Sequence, residues 1–178
     1  RIQGAGTYVK EQDLKHATVN SDQLELINLK KYKLKLLDFE VGQVIPKITE
    51  ALNIQPYDIV YTIKRAAIAT NKQLVAFQKI CIPAKVIQGL NMEMMESSIY
   101  PLIKEKLNIK PEKAVRETSL VHATDDLVDQ GEVKGEVEEK EPLLKWLQKS
   151  YLADGRAFEW NETYYRITKF PIKEVIVL

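Results

Sequence analysis

Apolar and polar residues alternate along the C-terminal part of the chain, from residue 151 to residue 166, on both sides of Asp154-Gly155. An Asp-Gly pair between two such runs is typical of a β-hairpin, because both turn residues tolerate a positive φ. Side chains of a strand alternate between its two faces, so the second arm of this hairpin has one polar and one mostly apolar face. The polar face carries Glu159, Asn161, Thr163 and Tyr165, and the opposite face carries Phe158, Trp160, Glu162, Tyr164 and the stem of Arg166.

This polar face has two interpretations. A few hydrogen-bonding groups held by a rigid strand are what a pocket for a small molecule needs. A sheet face that is simply solvated shows the same alternation, and both interpretations stay open at this point.

The remaining patterns predict an α+β domain. Strands in hairpins with a few interposed helices indicate an antiparallel sheet covered on one face by helices. Helices are predicted at 46–52, at 98–107 and briefly after Thr124, and strands at 33–44, 59–69, 74–82, 113–123, 143–152, 157–169 and 172–178.

Composition narrows the class of protein. The chain has 178 residues, of which 45% are hydrophobic, enough for a real core. The 26 basic and 25 acidic residues do not provide the positive excess of a nucleic-acid groove. No apolar run has the length of a membrane span or a signal peptide, which predicts a cytoplasmic protein without membrane contact.

The few residues suited to metal binding or nucleophilic chemistry lie far apart. Cys81 is the single cysteine and lies in an apolar run, which predicts a buried, reduced thiol. His16 and His122 are the two histidines, and with one cysteine they do not make a ligand set. We therefore expect no metal and no cofactor.

Several local motifs resemble one family of bacterial transcription regulators. Residues 4–9, Gly-Ala-Gly-Thr-Tyr-Val, resemble the wing that closes the winged-helix domain of GntR-type regulators. Residues 59–83, the Ser-Ile-Tyr-Pro-Leu run at 98–102 and residues 154–166 resemble the effector-sensing UTRA domain of the HutC subgroup.

The resemblance implies a chorismate-lyase-like fold and a division of the chain into three parts. Residues 1–9 would be the remnant of the wing, residues 10–31 a linker and residues 32–178 the effector-binding domain. The domain would bind a sugar, a sugar phosphate or a carboxylate and form a homodimer. It would contact operator DNA only through a winged helix that this chain lacks, since the chain begins at the wing.

The resemblance also implies site residues. Members that sense sugar phosphates hold the phosphate with an Arg-x-Arg pair. Counted back from Pro83, the two positions of this pair are Ala66 and Ile68, so both arginines are missing here. A shift of register would bring in Lys64 or Arg65, which lie just upstream. The other implied effector-binding residues are Gln78, Ser98, Tyr100, Arg116, Glu159 and Tyr165, and the polar face of the last hairpin adds Asn161.

Several of these residues have a purely structural alternative. Ser98 would serve equally as a helix N-cap. Tyr100 would pack in the core, and Arg116 would pair with Glu117 or Glu159 across the sheet.

The sequence leaves two alternatives to a sensor domain. A lyase-like enzyme on the same scaffold would need converging cations and a positioned acid, for which Arg116 and Glu159 are the obvious candidates. An assembly domain with a vestigial pocket would account for the missing arginine pair.

Overall fold

The structure is a computed structural model that describes residues 32–105, 107–124 and 137–170. These residues form six strands, two α-helices and one 3-10 helix. In chain order the elements are β1 (Tyr32–Gly42), α1 (Pro46–Leu52), β2 (Val60–Ala69), β3 (Leu74–Pro83), the 3-10 helix (Met92–Glu96), α2 (Ile99–Glu105), β4 (Pro111–His122), β5 (Pro142–Leu152) and β6 (Ala157–Tyr165).

The strands form one sheet in the order β1-β2-β3-β6-β5-β4, and every neighbouring pair is antiparallel. The strands of each hairpin, β2–β3 and β5–β6, are consecutive in the chain, and the two hairpins meet where β3 pairs with β6. This arrangement confirms the predicted α+β class.

The two hairpins turn in the same way. In each of the turns Ala69–Gln73 and Leu152–Arg156, the N–H of the first residue donates to the carbonyl of the fifth residue at 2.9 Å. The fourth residue, Lys72 or Gly155, has a positive φ of 67° or 83°. This is the three-residue loop with a left-handed last residue. In the second turn Gly155 has the positive φ and Asp154 does not.

The helices cover both faces of the sheet, although the sequence indicated one. The 3-10 helix and α2 pack on the face that carries Ile63 and Ile80, which is called the α2 face below. α1 packs on the opposite face, the α1 face, through Ile48 and Leu52 against Cys81 and Trp160. Each face thus has its own apolar cluster, and burial of one such side chain stabilises the fold by about 1.5–3 kcal/mol.

Most predicted bounds agree with the structure, and α1 coincides with its prediction. The strand predicted at 157–169 is shorter and ends at Tyr165. The N–H groups of Lys169 and Phe170 donate to the carbonyl of Arg166 and close a turn there. The wing remnant at 1–9, the linker at 10–31, the strand at 172–178 and the helix predicted after Thr124 lie outside the described residues.

Candidate functional site

A chain of hydrogen-bonded polar side chains crosses the α2 face of the sheet from β2 to β4. The register places them side by side on neighbouring strands, because Arg65 pairs with Gln78, Gln78 with Thr163, and Asn161 with Gln148. Together they are called the polar row, which consists of Arg65, Gln78, Thr163, Asn161, Glu159, Ser150, Gln148 and Arg116, with Tyr100 reaching it from α2.

Glu159 is the centre of the polar row. The residue is 1% exposed, and its carboxylate accepts hydrogen bonds from three elements. The hydroxyls of Tyr100 on α2 and Ser150 on β5 donate to Oε2, the latter at 2.6 Å. On its own strand, Nδ2 of Asn161 donates to Oε1 at 3.2 Å. Such charge-assisted hydrogen bonds let a carboxylate remain in a buried place.

One arm of the polar row runs from Glu159 toward β2. Thr163 Oγ1 donates to Asn161 Oδ1 at 2.9 Å, and Gln78 Nε2 donates to Thr163 Oγ1 at 3.0 Å. Arg65 Nε donates to Gln78 Oε1 at 2.7 Å, and its guanidinium is 1% exposed. This arm is buried along its whole length.

The other arm runs toward the edge strand β4. Gln148 Nε2 donates to the hydroxyls of Tyr100 at 2.8 Å and Ser150 at 3.1 Å. Arg116 donates to Gln148 Oε1 from Nε at 2.9 Å and also from Nη2. The Arg116 guanidinium lies 3.7 Å from the centre of the Trp146 ring, a cation–π geometry that orients the half-buried side chain.

Six of the nine predicted site residues meet in the polar row. They are Arg65, Gln78, Tyr100, Arg116, Glu159 and Asn161.

The other three lie elsewhere. Tyr165 lies one step further along the same face, 5% exposed, with its ring 5.6 Å from that of Trp146. Ser98 is half-buried and immediately precedes α2, as an N-cap residue would. Lys64 lies on the α1 face, where its Nζ is 2.8 Å from Asp38, so the structure does not bring it to the polar row.

The structure shows on which face of the sheet the two positions of the missing arginine pair lie. Ala66 is buried and Ile68 half-buried in an apolar cluster on the α1 face with Phe77 and Leu143. Because side chains alternate along a strand, a pair counted onto these positions would face away from Glu159. Of the two upstream residues considered from the sequence, Lys64 and Arg65, the fold brings Arg65 to the polar row.

Sequence reasoning missed the contribution of β5. Trp146, Gln148 and Ser150 lie on one face of this strand and join Arg116 to Glu159. Their spacing of two residues was the available signal. This spacing does not identify a binding strand by itself, because polar groups at every second position are typical of any solvated strand.

The titratable groups outside the polar row do not add a reactive centre to it. Burial raises the pKa of the Cys81 thiol, which lies on the α1 face and is a poor nucleophile in this state. Burial also raises the pKa of Tyr164 on that face. Within the described ranges, no cluster of three His, Cys, Asp or Glu residues is suited to a metal ion, and no helix has the length and apolarity to cross a bilayer.

The geometry of the polar row is suited to recognition of a polar ligand. It offers a carboxylate acceptor, amides and hydroxyls at fixed positions on strands, with apolar residues of α2 around them. The hydroxyls of Tyr100 and Ser150 and the amide of Asn161 hold this carboxylate in place.

Comparison with known proteins agrees with this picture. The sequence model of the UTRA domain matches residues 29–171. The mannosyl-D-glycerate transport/metabolism system repressor MngR of Escherichia coli is 26% identical over 168 residues, which are 92% of this chain and 68% of MngR. The HTH-type transcriptional regulator GmuR of Bacillus subtilis is 28% identical over 181 residues, 98% of this chain and 74% of GmuR.

Solved structures show the same fold. A GntR-family transcriptional regulator from Bacillus cereus superimposes with a TM-score of 0.70 at 26% identity, covering 83% of this chain and 99% of that one. The effector-binding domain of the Bacillus subtilis trehalose repressor has a TM-score of 0.68 at 20% identity, covering 82% and 98%. The chain therefore belongs to the UTRA domain family, the effector-binding domains of GntR-family transcription regulators.

Proposed function

We propose that the polar row is the effector site of this regulatory domain and that Glu159 is its main ligand-binding group. The observation that supports the proposal is the buried Glu159 carboxylate, which donors on α2, β5 and β6 hold in one position. A buried charge lowers the stability of the fold, and hydrogen bonds from the surrounding hydroxyls and amides offset part of this cost. A buried carboxylate is therefore expected where a ligand binds to it. A carbohydrate or a small carboxylate offers matching groups, and the names of two relatives refer to mannosyl-D-glycerate and to trehalose.

The proposed mechanism is a population shift. An effector that binds one conformation of the domain more tightly stabilises that conformation by the difference in binding free energy. Tyr100 links Glu159 to α2, so a ligand on Glu159 acts directly on a helix that packs on the sheet. The whole regulator would be a cytoplasmic homodimer. In it, the conformational change would be transmitted to an N-terminal winged helix that binds operator DNA.

The experiment is thermal unfolding of the domain with a panel of sugars, sugar phosphates, amino acids and small carboxylates. A ligand at 100 times its dissociation constant adds about 2.7 kcal/mol to the free energy of unfolding. We expect at least one such ligand, with its effect abolished by Glu159→Gln.

The matched control is Glu162→Gln on the same strand. Glu162 points to the α1 face, where it pairs with Lys145 at 2.6 Å. Its substitution should lower stability slightly and leave the ligand-induced shift unchanged. If both variants lose the shift equally, or if no ligand of the panel produces one, the effector role of the polar row is refuted.

We further propose that the domain binds its effector without converting it. Incubation of the identified ligand with the domain should return it unchanged by mass spectrometry. Formation of a product would instead support a lyase-like enzyme.

A further inference from the structure

The hydrogen bonds of the polar row have a direction, and the two arginines determine it. A guanidinium only donates, so Gln78 must present Oε1 to Arg65 and Gln148 must present Oε1 to Arg116. The amide nitrogens of both glutamines therefore point inward, Gln78 toward Thr163 and Gln148 toward Tyr100.

From there, both arms run as donors toward Glu159. On one side Thr163 donates to Asn161, and Asn161 donates to Oε1 of Glu159. On the other side the hydroxyls of Tyr100 and Ser150 donate to Oε2. In each of these hydrogen bonds the Glu159 carboxylate is the acceptor, so a ligand group that binds to it has to be a donor.

The arginines are poorly placed to hold a phosphate together. Arg65 lies on β2 and Arg116 on β4, four strand spacings apart, and at 4.8 Å each this is about 19 Å. Arg65 also donates from Nη1 to the backbone carbonyls of Met95 at 3.4 Å and Ser97 at 2.8 Å. A phosphate bound through Nη1 of Arg65 would have to displace these carbonyl oxygens.

We propose that the effector of this domain is an uncharged carbohydrate or polyol, bound by a hydroxyl that donates to Glu159, and that phosphorylated sugars are discriminated against. This inference rests on the proposed function of the polar row. The physical basis is that the row gathers donors onto a buried carboxylate, and a ligand oxyanion at its centre would add a second negative charge.

The first test compares each neutral sugar with its own phosphate ester by calorimetry. The pairs are glucose, mannose, N-acetylglucosamine and trehalose, each with its 6-phosphate. We expect a neutral member to bind at least ten times more tightly than its ester. An ester that binds as tightly as, or more tightly than, every neutral sugar would overturn the inference while leaving the effector role intact. If no member of any pair binds, the inference is also overturned, and the broader panel above decides the effector role separately.

The second test reverses one hydrogen bond in place. Asn161→Asp keeps the shape of the side chain but replaces the N–H donor on Glu159 by an acceptor. At pH 8 the two carboxylates repel each other, and we expect the affinity for the neutral ligand to fall at least tenfold. At pH 5 the pair shares a proton, and affinity relative to the wild type at that pH should recover.

A merely structural role of Asn161 would not produce this recovery. The control is Asn161→Ala, which removes the donor without adding charge and should show no such pH dependence. Equal loss at both pH values in Asn161→Asp would contradict the proposed direction of the hydrogen bonds.

Discussion

Removal of the Arg166 guanidinium should destabilise the domain strongly, because it would leave a buried carboxylate without its partner. Arg166 follows β6 and donates to both oxygens of Glu141, from Nε at 2.8 Å and from Nη2 at 2.9 Å. The two side chains are only 4% and 7% exposed. A third bond, from Nη1 to the Leu74 carbonyl at 3.4 Å, connects the pair to β3.

The size of the effect follows from this burial. Breaking a buried ion pair by removing one partner costs about 3–5 kcal/mol. For a chain of this length each kcal/mol lowers the unfolding midpoint by about 2–4 °C, so Arg166→Met should lower it by roughly 6–20 °C. The double variant Glu141→Gln with Arg166→Met removes the buried charge as well and should recover more than half of the lost stability.

The pH dependence gives an independent check. Burial is the largest single effect on Glu141 and favours its neutral form. The hydrogen bonds from Arg166 and the Glu138 N–H, together with the charges of Arg166 and Lys169, outweigh burial, and the pKa of this carboxyl lies below its ordinary value. A lowered pKa in the folded state contributes stability above the ordinary value, and this contribution is lost as the pH falls through the folded pKa. In Arg166→Met the two largest contributions of Arg166, its hydrogen bond and its charge, are lost while burial remains, so protonation of Glu141 relieves the penalty at low pH.

The assay is urea unfolding of the wild type and Arg166→Met at pH 7 and pH 4. The difference in free energy of unfolding should be about 3–5 kcal/mol at pH 7 and clearly smaller at pH 4. A difference below about 1 kcal/mol at pH 7, or the same difference at both pH values, would refute the reasoning.

Three further predictions concern single residues. Tyr100→Phe removes a buried hydroxyl that donates to Glu159, and it should lower the free energy of unfolding in urea by about 1–3 kcal/mol; no change would contradict the contact. Gly155→Ala should lower the free energy of unfolding by roughly 1–2 kcal/mol because of the φ of 83° alone, since nothing lies within 4 Å of the added Cβ. The control is Gly42→Ala, which has no such φ, and equal melting midpoints for the two variants would contradict the prediction. Cys81, whose pKa is raised by burial, should react with a thiol reagent in urea but not in the native protein, and fast native labelling would contradict its burial.

Much of the local structure could be read from the chain. The arms of the β2–β3 and β5–β6 hairpins have the predicted bounds within one residue, except for the C-terminal end of β6, because their turn residues and alternating faces are local signals. The polar face of β6 is also as predicted for Glu159, Asn161 and Thr163, which lie in one hydrogen-bonded line. Phe158 is the exception, since a bulge at Ser150/Tyr151 turns it to the α2 face, where it packs on Tyr100.

The wider site could not be read in the same way. Gln148 and Ser150 carry no local signal that separates a binding residue from a solvated one. Their role appears only when β5 pairs with β6 and places them against Glu159. The face on which Ala66 and Ile68 lie could not be read from the sequence for a similar reason, because a shift of one residue in a strand reverses the face that each side chain occupies.

The sequence by itself therefore determined the hairpins, the α+β class, the family and the polar face of β6, since these depend on turn chemistry, periodicity and motif order. Only the tertiary structure decided which strands are neighbours, and thereby that Arg65 and Arg116 end two arms of donors that meet at Glu159. The physical reason is that side-chain alternation is a property of one strand, whereas a hydrogen-bonded row across five strands depends on pairing between segments that are far apart in the chain.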